Sequence, residues 1–327
     1  MTALTRSNGL RALPASHLTA PRLLDQSPCM EQISEQHNAR RVAIVTVTHM
    51  WNPLIADEHA KRRREAASFG DVHLAFHHYN HPPPQEENME VITRAETAQP
   101  GYPVPPIPIQ RGGHVLLLFM EFVRRRPNYD YYWLIEFDVR FSGSWDHFLE
   151  AFYSVDTDLL APQIRHHHQQ PQWPWWSTLS TPSERVPDEH RLRCLAVICR
   201  FSKRALEHIH EASLCGWNGH AEVLLPTLLN ERGFSISDIG GHGPFTPDAL
   251  RGRFYRDGPD RARGLNRHSS IRTIPPRLSC GRARDCLYHP VKPFRQWCRG
   301  RLKWAVTVLL RSRILSPLLR LIRRLCR

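Results

Sequence analysis

The sequence predicts an α/β protein in which helices cover both faces of a central sheet. Short apolar runs bounded by turn residues, at 41–48, 71–79 and 131–141, are typical of buried strands. Two segments of helical character, a charged one expected to be exposed at 56–68 and an amphipathic one at 114–126, separate these strands. Such alternation favours a layered architecture whose ligands bind beyond the carboxyl ends of the strands.

Charge and cysteine usage narrow the function classes. The net charge is +13, but residues 251–327 hold 21 Lys and Arg against 3 Asp, so the preceding body is net negative. A dedicated nucleic-acid-binding domain carries positive charge on its own folded surface, and we therefore expect no nucleic-acid partner. The eight cysteines include no C-x-x-C pair, which favours a reduced, cytoplasmic setting. No apolar run approaches the roughly 20 residues of a membrane-spanning helix.

The rest of the chain divides into a leader, further elements of the body, and a tail. Residues 1–39 are rich in Pro, Ser, Asn and Gln, which predicts a disordered leader. Residues 81–110 predict a long Pro-rich loop. In the second half we expect, in order, a helix at 145–154, a strand at 158–164, a His- and Trp-rich loop at 166–180, a strand at 193–201, helices at 202–214 and 220–232, and a short strand and loop at 235–241.

The end of the third strand carries two acids. The apolar run 131–135 leads directly into Glu136, Phe137 and Asp138. Side chains alternate along a strand, so Glu136 and Asp138 should project to the same side. Paired carboxylates at a strand end suit a hard cation such as Mg²⁺ or Mn²⁺ with a phosphorylated ligand, and Arg140 suits a phosphate. The alternative is one solvated acid and one salt-bridged acid, with Arg140 as the ion-pair partner.

A second candidate is an acid at a helix start. A Trp-Asn-Gly turn at 217–219 precedes a helix whose first turn holds His220 and Glu222. At a pocket rim, Glu222 would be suited to act as a general base. The alternative is purely structural, because any acid in a first helical turn is stabilised by the helix dipole.

Further candidates would contact the phosphorylated ligand, which is called the donor below. His289 and Lys292 lie in the segment 285–293. His289 suits a metal ligand that arrives late in the chain, and Lys292 suits a phosphate; the alternative is an ordinary core or surface histidine. Thr46 and Thr48 end the first predicted strand, at the edge where a ligand is expected, and are candidate donor contacts.

Aromatic residues supply candidate contacts for a second ligand, which is called the acceptor below. Trp173, Trp175 and Trp176 lie in the loop at 166–180, and Trp217 and His220 lie beside the predicted helix start. Aromatic rings stack on sugar faces and nucleobases, but they also pin long loops to a core. Both interpretations of this cluster remain open.

The C-terminal segment 294–327 contains no acid, and Arg and Lys punctuate its apolar residues. Several apolar residues can share one helical face that is interrupted near Pro317: Leu309, Leu310, Ile314, Leu318, Leu319 and Leu321. A basic amphipathic helix of this kind lies on anionic membrane surfaces. The alternative is a helix that docks on the core or binds a protein partner.

Taken together, the segments between about 41 and 293 resemble glycosyltransferases of the GT-A type, the nucleotide-diphospho-sugar transferase fold. The segments that carry the resemblance are RVAIVTVTH at 41–49, WLIEFDV at 133–139, GHAE at 219–222, SISDIGG at 235–241 and LYHPVK at 287–292. The block W-x-x-E-x-D-V-R-x-[ST]-G around the second of these marks a narrower group of similar proteins. The resemblance implies a Rossmann-like mixed sheet flanked by helices.

The resemblance also implies roles for individual residues. The Asp-x-Asp-like motif of the family binds the metal and the donor, and here it appears as Glu136-x-Asp138, a departure in its first position. In inverting members an acid at a helix start is the usual base, which matches Glu222. A late histidine often completes the metal shell, which matches His289.

The function that follows is an expectation. The chain is expected to be a metal-dependent, inverting glycosyltransferase that uses Mn²⁺ or Mg²⁺, a nucleotide-sugar donor, and a glycan or lipid-linked acceptor. Residues 40–293 would form the catalytic domain, and the tail would hold it peripherally at a membrane in the cytoplasm. One alternative is an inactive GT-A-like domain that binds a nucleotide or glycan, and another is a membrane interaction protein that acts through its tail.

Overall fold

The computed structural model describes residues 40–79, 81–103, 113–258, 269–272 and 275–310. Its strands are β1 (Val42–Thr48), β2 (Asp71–His78), β3 (Met89–Thr93), β4 (Tyr131–Glu136), β5 (Arg140–Phe141), β6 (Leu159–Ala161), β7 (Arg165–His166), β8 (Leu192–Arg193), β9 (Ile198–Ser202), β10 (Ile236–Asp238) and β11 (Leu287–Tyr288). The predicted leader at 1–39 and residues 311–327 of the predicted tail lie outside this description.

Seven of these strands form a mixed sheet in the order β10–β6–β9–β4–β1–β2–β3. The strand β9 is antiparallel to both of its neighbours, and the other pairs are parallel. The carboxyl ends of β1, β4 and β6 therefore meet the start of β9 at one edge of the sheet. This edge is where the sequence places its acidic pair.

Helices cover both faces of the sheet, which confirms the predicted α/β architecture. They are α1 (Pro53–Glu65), α2 (Arg94–Ala98), α3 (Gly113–Arg125), α4 (Trp145–Tyr153), α5 (Lys203–Leu214), α6 (Ala221–Glu231) and α7 (Phe294–Leu310). Ser202 caps α5, as its hydroxyl accepts the amide of Ala205. Among the described residues, no helix combines the length and the apolar character that crossing a bilayer requires.

The core consists of two apolar layers, one on each face of the sheet. Along β4, Tyr132 and Leu134 pack into the layer beneath α3, α5 and α6, whereas Trp133 and Ile135 pack into the layer beneath α4. This period-two alternation explains why the strand is apolar without interruption: both of its faces are buried.

Three expected elements differ in the structure. The predicted loop at 81–110 contains β3 and α2, where Thr93 and Glu96 form a capping box that the Pro-rich composition obscures. The predicted strand at 193–201 is divided into β8 and β9. The helix predicted as exposed at 56–68 instead starts at Pro53 and buries Glu58, His59 and Arg62.

A two-stranded ladder fixes the acidic turn against the end of the chain. In it, Tyr288 pairs with Arg140 and Leu287 pairs with Phe141 in antiparallel register. Beyond the ladder, the amide of Val291 donates to the carbonyl of Asp138 at 2.9 Å. The residues that follow β11 are thereby held beside the turn that follows β4.

Arg62 connects this turn to the rest of the sheet. Its guanidinium is almost wholly buried, and it donates to Thr46 Oγ1 at 2.9 Å and to the Val139 carbonyl at 2.8 Å. Glu58 Oε1 lies 3.8 Å from Nη2 of Arg62 and provides the counter-charge. Burial lowers the pKa of Arg62 to about 10, so the side chain remains charged at neutral pH.

Arg62→Met should destabilise the fold by about 3 kcal/mol, since it removes two buried hydrogen bonds, to Thr46 Oγ1 and to the Val139 carbonyl, and takes one of two cations away from the buried carboxylate of Glu58. The matched control is Arg64→Met on the exposed side of the same helix, which should change stability by less than about 0.5 kcal/mol. Urea denaturation of both variants measures the free energy of unfolding. Equal losses in the two variants would contradict a structural role for Arg62.

Candidate functional site

The carboxylates at the end of β4 meet a histidine. Glu136 is the last residue of β4, and Asp138, only 1% exposed, lies in the turn just beyond it. Nε2 of His289 lies 3.4 Å from Glu136 Oε2 and 3.5 Å from Asp138 Oδ1. The other ring nitrogen, Nδ1, donates to the carbonyl of Arg272 at 2.7 Å. That contact fixes the imidazole so that Nε2 faces both acids.

Lys292 completes this cluster. Its Nζ lies 2.5 Å from Asp138 Oδ2 and 4.2 Å from the centre of the Phe137 ring. Burial alone would raise the pKa of Asp138, but the ammonium of Lys292 and then the imidazole of His289 lower it. Burial alone would likewise lower the pKa of His289, but Asp138 and then Glu136 raise it to about 9.

The cluster fits a divalent cation. One ligand atom from each of Glu136, Asp138 and His289 lies within 4.8 Å of the others. Asp138 Oδ1 is buried, and its contact with His289 Nε2 at 3.5 Å lacks hydrogen-bond geometry, which is unusual for a buried carboxylate oxygen and suits one that coordinates a cation. Carboxylate oxygens favour Mg²⁺ and Mn²⁺. Ligation by His289 requires release of the proton that the two carboxylates stabilise.

A third carboxylate lies on α6. His220 caps this helix, its Nδ1 accepting the amide of Glu222 at 3.2 Å, and the carbonyl of Glu222 accepts the amide of Cys194 at 2.8 Å. Burial raises the pKa of Glu222 to about 7; Arg193 opposes this shift, and the negative charge of Glu136 adds to it. A carboxyl group with this pKa can accept or release a proton near neutral pH.

The predicted aromatic cluster separates into two parts. The rings of Trp175 and His220 stack at 4.8 Å with their planes 4° apart. Trp173 and Trp176 are instead buried against Val223 and pin the loop to α6. Trp217 is also a packing residue, because it contacts the apolar layer beneath α3, α5 and α6.

One pocket of about 390 Å³ joins these groups. Its walls include the predicted catalytic residue, all three predicted metal ligands, one of the donor candidates and two of the acceptor candidates: Glu222, Glu136, Asp138, His289, Lys292, His220 and Trp175. The volume lies within the range of small-molecule sites. The acidic cluster and Glu222 are thus brought into a single cavity between the sheet edge and the start of α6.

The two donor candidates on β1 lie outside the lining of this pocket. Val47 is in register with Glu136 and shares the apolar layer of Leu134, so the alternate residues Thr46 and Thr48 face the opposite side of the sheet. The hydroxyl of Thr48 donates to the carbonyl of Met50 at 2.6 Å. The strand's period-two alternation therefore separates both threonines from the acids.

Arg140 also lies apart from the lining. Its guanidinium donates to the carbonyls of Phe137, Val139 and Leu54 at 2.7 to 2.9 Å. Its Nε lies 3.5 Å from Glu58 Oε2, so the ion pair forms with an acid that the sequence did not single out.

Two contributors to the site were missed in the sequence. Arg193 lowers the pKa of Glu222, and its guanidinium carbon lies 4.3 Å from the centre of the Trp173 ring. It belongs to the segment 193–201, which the sequence predicts as a strand. The presence of this arginine at the start of an otherwise apolar run was the feature of the sequence that could have identified it. The orienting carbonyl of Arg272 left no signal, since a backbone contact is independent of side-chain identity.

No protein-family model and no curated protein sequence matches the chain. Among solved structures, glucosyl-3-phosphoglycerate synthase from Mycobacterium tuberculosis, in complex with Mn²⁺ and UDP-glucose, is 12% identical and covers 68% of this chain and 75% of its own, with a TM-score of 0.37. The galactosyltransferase LgtC, in complex with donor and acceptor sugar analogues, is 10% identical and covers 61% and 73%, with a TM-score of 0.32. These are similarities of backbone arrangement alone.

Glu222→Gln should alter the pH dependence of stability. Because burial raises the folded pKa from 4.5 to about 7, the unfolded chain loses this proton first as pH rises. Between about pH 4.5 and 7.5 the free energy of unfolding of the wild type should fall relative to Glu222→Gln, by up to about 3 kcal/mol. Denaturation series at several pH values measure the difference. The exposed control Glu211→Gln should show almost none, and a pH-independent difference for Glu222→Gln would contradict the shift.

Proposed function

We propose that this protein is an inverting glycosyltransferase that moves a sugar from a nucleoside-diphosphate donor to a hydroxyl acceptor. The observation that carries the proposal is that one pocket is lined by two chemically different sets of groups. Glu136, Asp138, His289 and Lys292 form the acidic end, at the carboxyl end of β4, and Glu222 with the Trp175–His220 stack forms the other, at the start of α6. We further propose that residues 40–293 form the catalytic domain.

The acidic end would bind the donor diphosphate. Glu136, Asp138 and His289 would hold Mn²⁺ or Mg²⁺, and a cation there neutralises negative charge on a departing diphosphate. Lys292 supplies a second positive charge at the same wall of the pocket. Asp138 and His289 are buried, so these two ligands are in place before the donor arrives, which favours electrostatic stabilisation by them.

The other end would bind and activate the acceptor. Trp175 is half-buried and lines the pocket, where its ring would offer a stacking surface for a sugar ring. Glu222 would accept the proton of the acceptor hydroxyl as that oxygen forms a bond to the donor sugar carbon. The bond from that carbon to the diphosphate breaks on the opposite face, so the configuration at the carbon inverts.

Donor binding and turnover test this proposal with two variants. UDP, GDP, CDP and their sugars are screened by thermal shift, with and without Mn²⁺, and calorimetry follows for the nucleotide that binds. Asp138→Asn should lose the Mn²⁺-dependent part of the stabilisation, because it removes a ligand charge. Glu222→Gln should retain donor binding and lose about a hundred- to ten-thousandfold in turnover.

The control is Asp248→Asn. Asp248 is an exposed acid outside the lining of the pocket, so this variant should match the wild type in both assays. Near-normal turnover of Glu222→Gln would exclude Glu222 as the base. Nucleotide binding without turnover on any acceptor would instead identify an inactive binding domain. If no nucleotide binds, the transferase proposal is wrong.

A second proposed function, attachment to an anionic membrane surface, rests on α7. Its exposed side carries an i, i+4 row of Phe294, Cys298, Leu302 and Val306, and the exposed fractions of the first, third and fourth residues are 63%, 68% and 45%. The opposite side contacts the body, where Gln296 donates to the Met50 sulfur at 3.1 Å.

Cations border this apolar row. Arg295, Arg299 and Lys303 lie along one side of it and Arg301 along the other, all exposed, and the helix contains no acid. An apolar stripe flanked by cations is suited to the boundary between headgroups and acyl chains of anionic lipids. Since α7 follows His289 and Lys292 by a few residues, attachment through this stripe would favour a lipid-linked acceptor.

The double variant Leu302→Glu, Val306→Glu should weaken binding to vesicles of phosphatidylserine and phosphatidylcholine by about tenfold or more, since it places charge in the apolar stripe. Vesicle co-flotation of the full chain measures the bound fraction. Leu278→Glu, at an exposed leucine outside α7, is the matched control and should bind like the wild type. Equal binding of the double variant, or equal binding to neutral vesicles, would contradict this attachment.

A further inference from the structure

Lys292 pairs with the same carboxylate that a divalent cation would use. Its Nζ is 2.5 Å from Asp138 Oδ2, and Oδ1 of the same carboxylate faces His289. A divalent cation bound to Asp138 would lie close to this ammonium in a mostly buried environment. Two like charges at such a separation repel strongly, because the surroundings screen them poorly. The cation and the ammonium therefore compete for one carboxylate.

The two cationic partners of Asp138 differ in their freedom to move. The side chain of His289 is 7% exposed, and its ring is anchored by the Arg272 carbonyl. The side chain of Lys292 is 24% exposed and lines the pocket, and its ammonium is carried on a flexible stem. Its backbone is fixed separately, as its amide donates to the Arg277 carbonyl at 2.9 Å. Lys292 can thus leave Asp138 without displacing the chain.

We propose that Lys292 is a built-in counter-cation that a divalent metal displaces from Asp138, and that the released ammonium then pairs with the donor diphosphate. This inference deepens the proposed function and rests on it. Displacement links the two ligands: the metal frees the ammonium that the diphosphate needs, and the diphosphate captures the ammonium that would otherwise compete with the metal. Each ligand should then raise the affinity of the other by the same factor.

Amine labelling of the wild-type chain tests the displacement directly. Brief acetylation followed by mass spectrometry measures the reactivity of each lysine, and Lys203, about half exposed on α5, is the internal control. Mn²⁺ alone should increase the labelling of Lys292 severalfold, because the amine leaves the carboxylate for the open pocket. UDP added with Mn²⁺ should reverse that increase. The labelling of Lys203 should remain constant throughout.

Variants test the competition by a second measurement. In Lys292→Met, Mn²⁺ measured alone by electron paramagnetic resonance should bind about fivefold or more tightly, while UDP in the presence of Mn²⁺ should bind about tenfold less tightly. Lys292→Arg should restore part of the UDP affinity, and Lys203→Met should match the wild type. A lysine that merely orders Asp138 predicts the opposite result for Mn²⁺, since its loss would then weaken the metal site.

The outcomes separate this inference from the function on which it rests. Unchanged or reduced labelling of Lys292 with Mn²⁺ overturns the displacement, even if the protein transfers sugar. Protection of Lys292 by UDP alone, with no effect of Mn²⁺, also overturns it and leaves Lys292 as a metal-independent phosphate contact. A failure of every nucleotide to bind defeats the proposed function, while the labelling with Mn²⁺ still decides whether metal and lysine compete.

Discussion

Two buried arginines hold the turn on which the candidate site depends. Arg62 and Arg140 both donate to the carbonyl of Val139, and Arg140 also binds the carbonyl of Phe137. Asp138 lies between Phe137 and Val139. The backbone on both sides of this acid is therefore held by hydrogen bonds from arginine side chains. The shared counter-ion Glu58 keeps the two cations tolerable in a buried environment. The position of Asp138 in the pocket thus depends on Arg62 and Glu58, two buried residues of α1.

The site is assembled from parts that are distant in the chain. The β5–β11 ladder brings His289 to the acids of β4 across about 150 residues, and the break between β8 and β9 turns the chain toward α6. The amide of Glu136 donates to the carbonyl of Val197 in that break at 2.9 Å. Each of these connections is made through backbone groups. The pocket can therefore tolerate changes in its apolar lining more readily than changes in these connections.

The sequence predicts the architecture better than the orientation of particular side chains. Strong apolar runs identify β1, β2 and β4, and both acid positions stand out by type. The side of β1 on which Thr46 lies could not be assigned, because every residue of that strand is buried and no polar alternation marks a face. The ion pair of Arg140 with Glu58 could not be predicted either, since Glu58 belongs to a helix whose charged sequence predicts an exposed position. The two cases share one feature: burial by long-range contacts leaves no mark in the local pattern of the sequence.

One pocket holds two carboxylates whose pKa values are shifted in opposite directions, and that difference supports the roles proposed for them. Asp138 has a lowered pKa, because Lys292 and His289 outweigh its burial, whereas Glu222 has a raised pKa, because burial outweighs the opposing effect of Arg193. A permanently ionised acid is suited to hold positive charge, and an acid that titrates near pH 7 is suited to exchange a proton. Interchanging the two functions would require moving the backbone that carries His289 and Lys292, which the ladder holds beside the turn. The electrostatic division of the pocket is therefore a property of the fold.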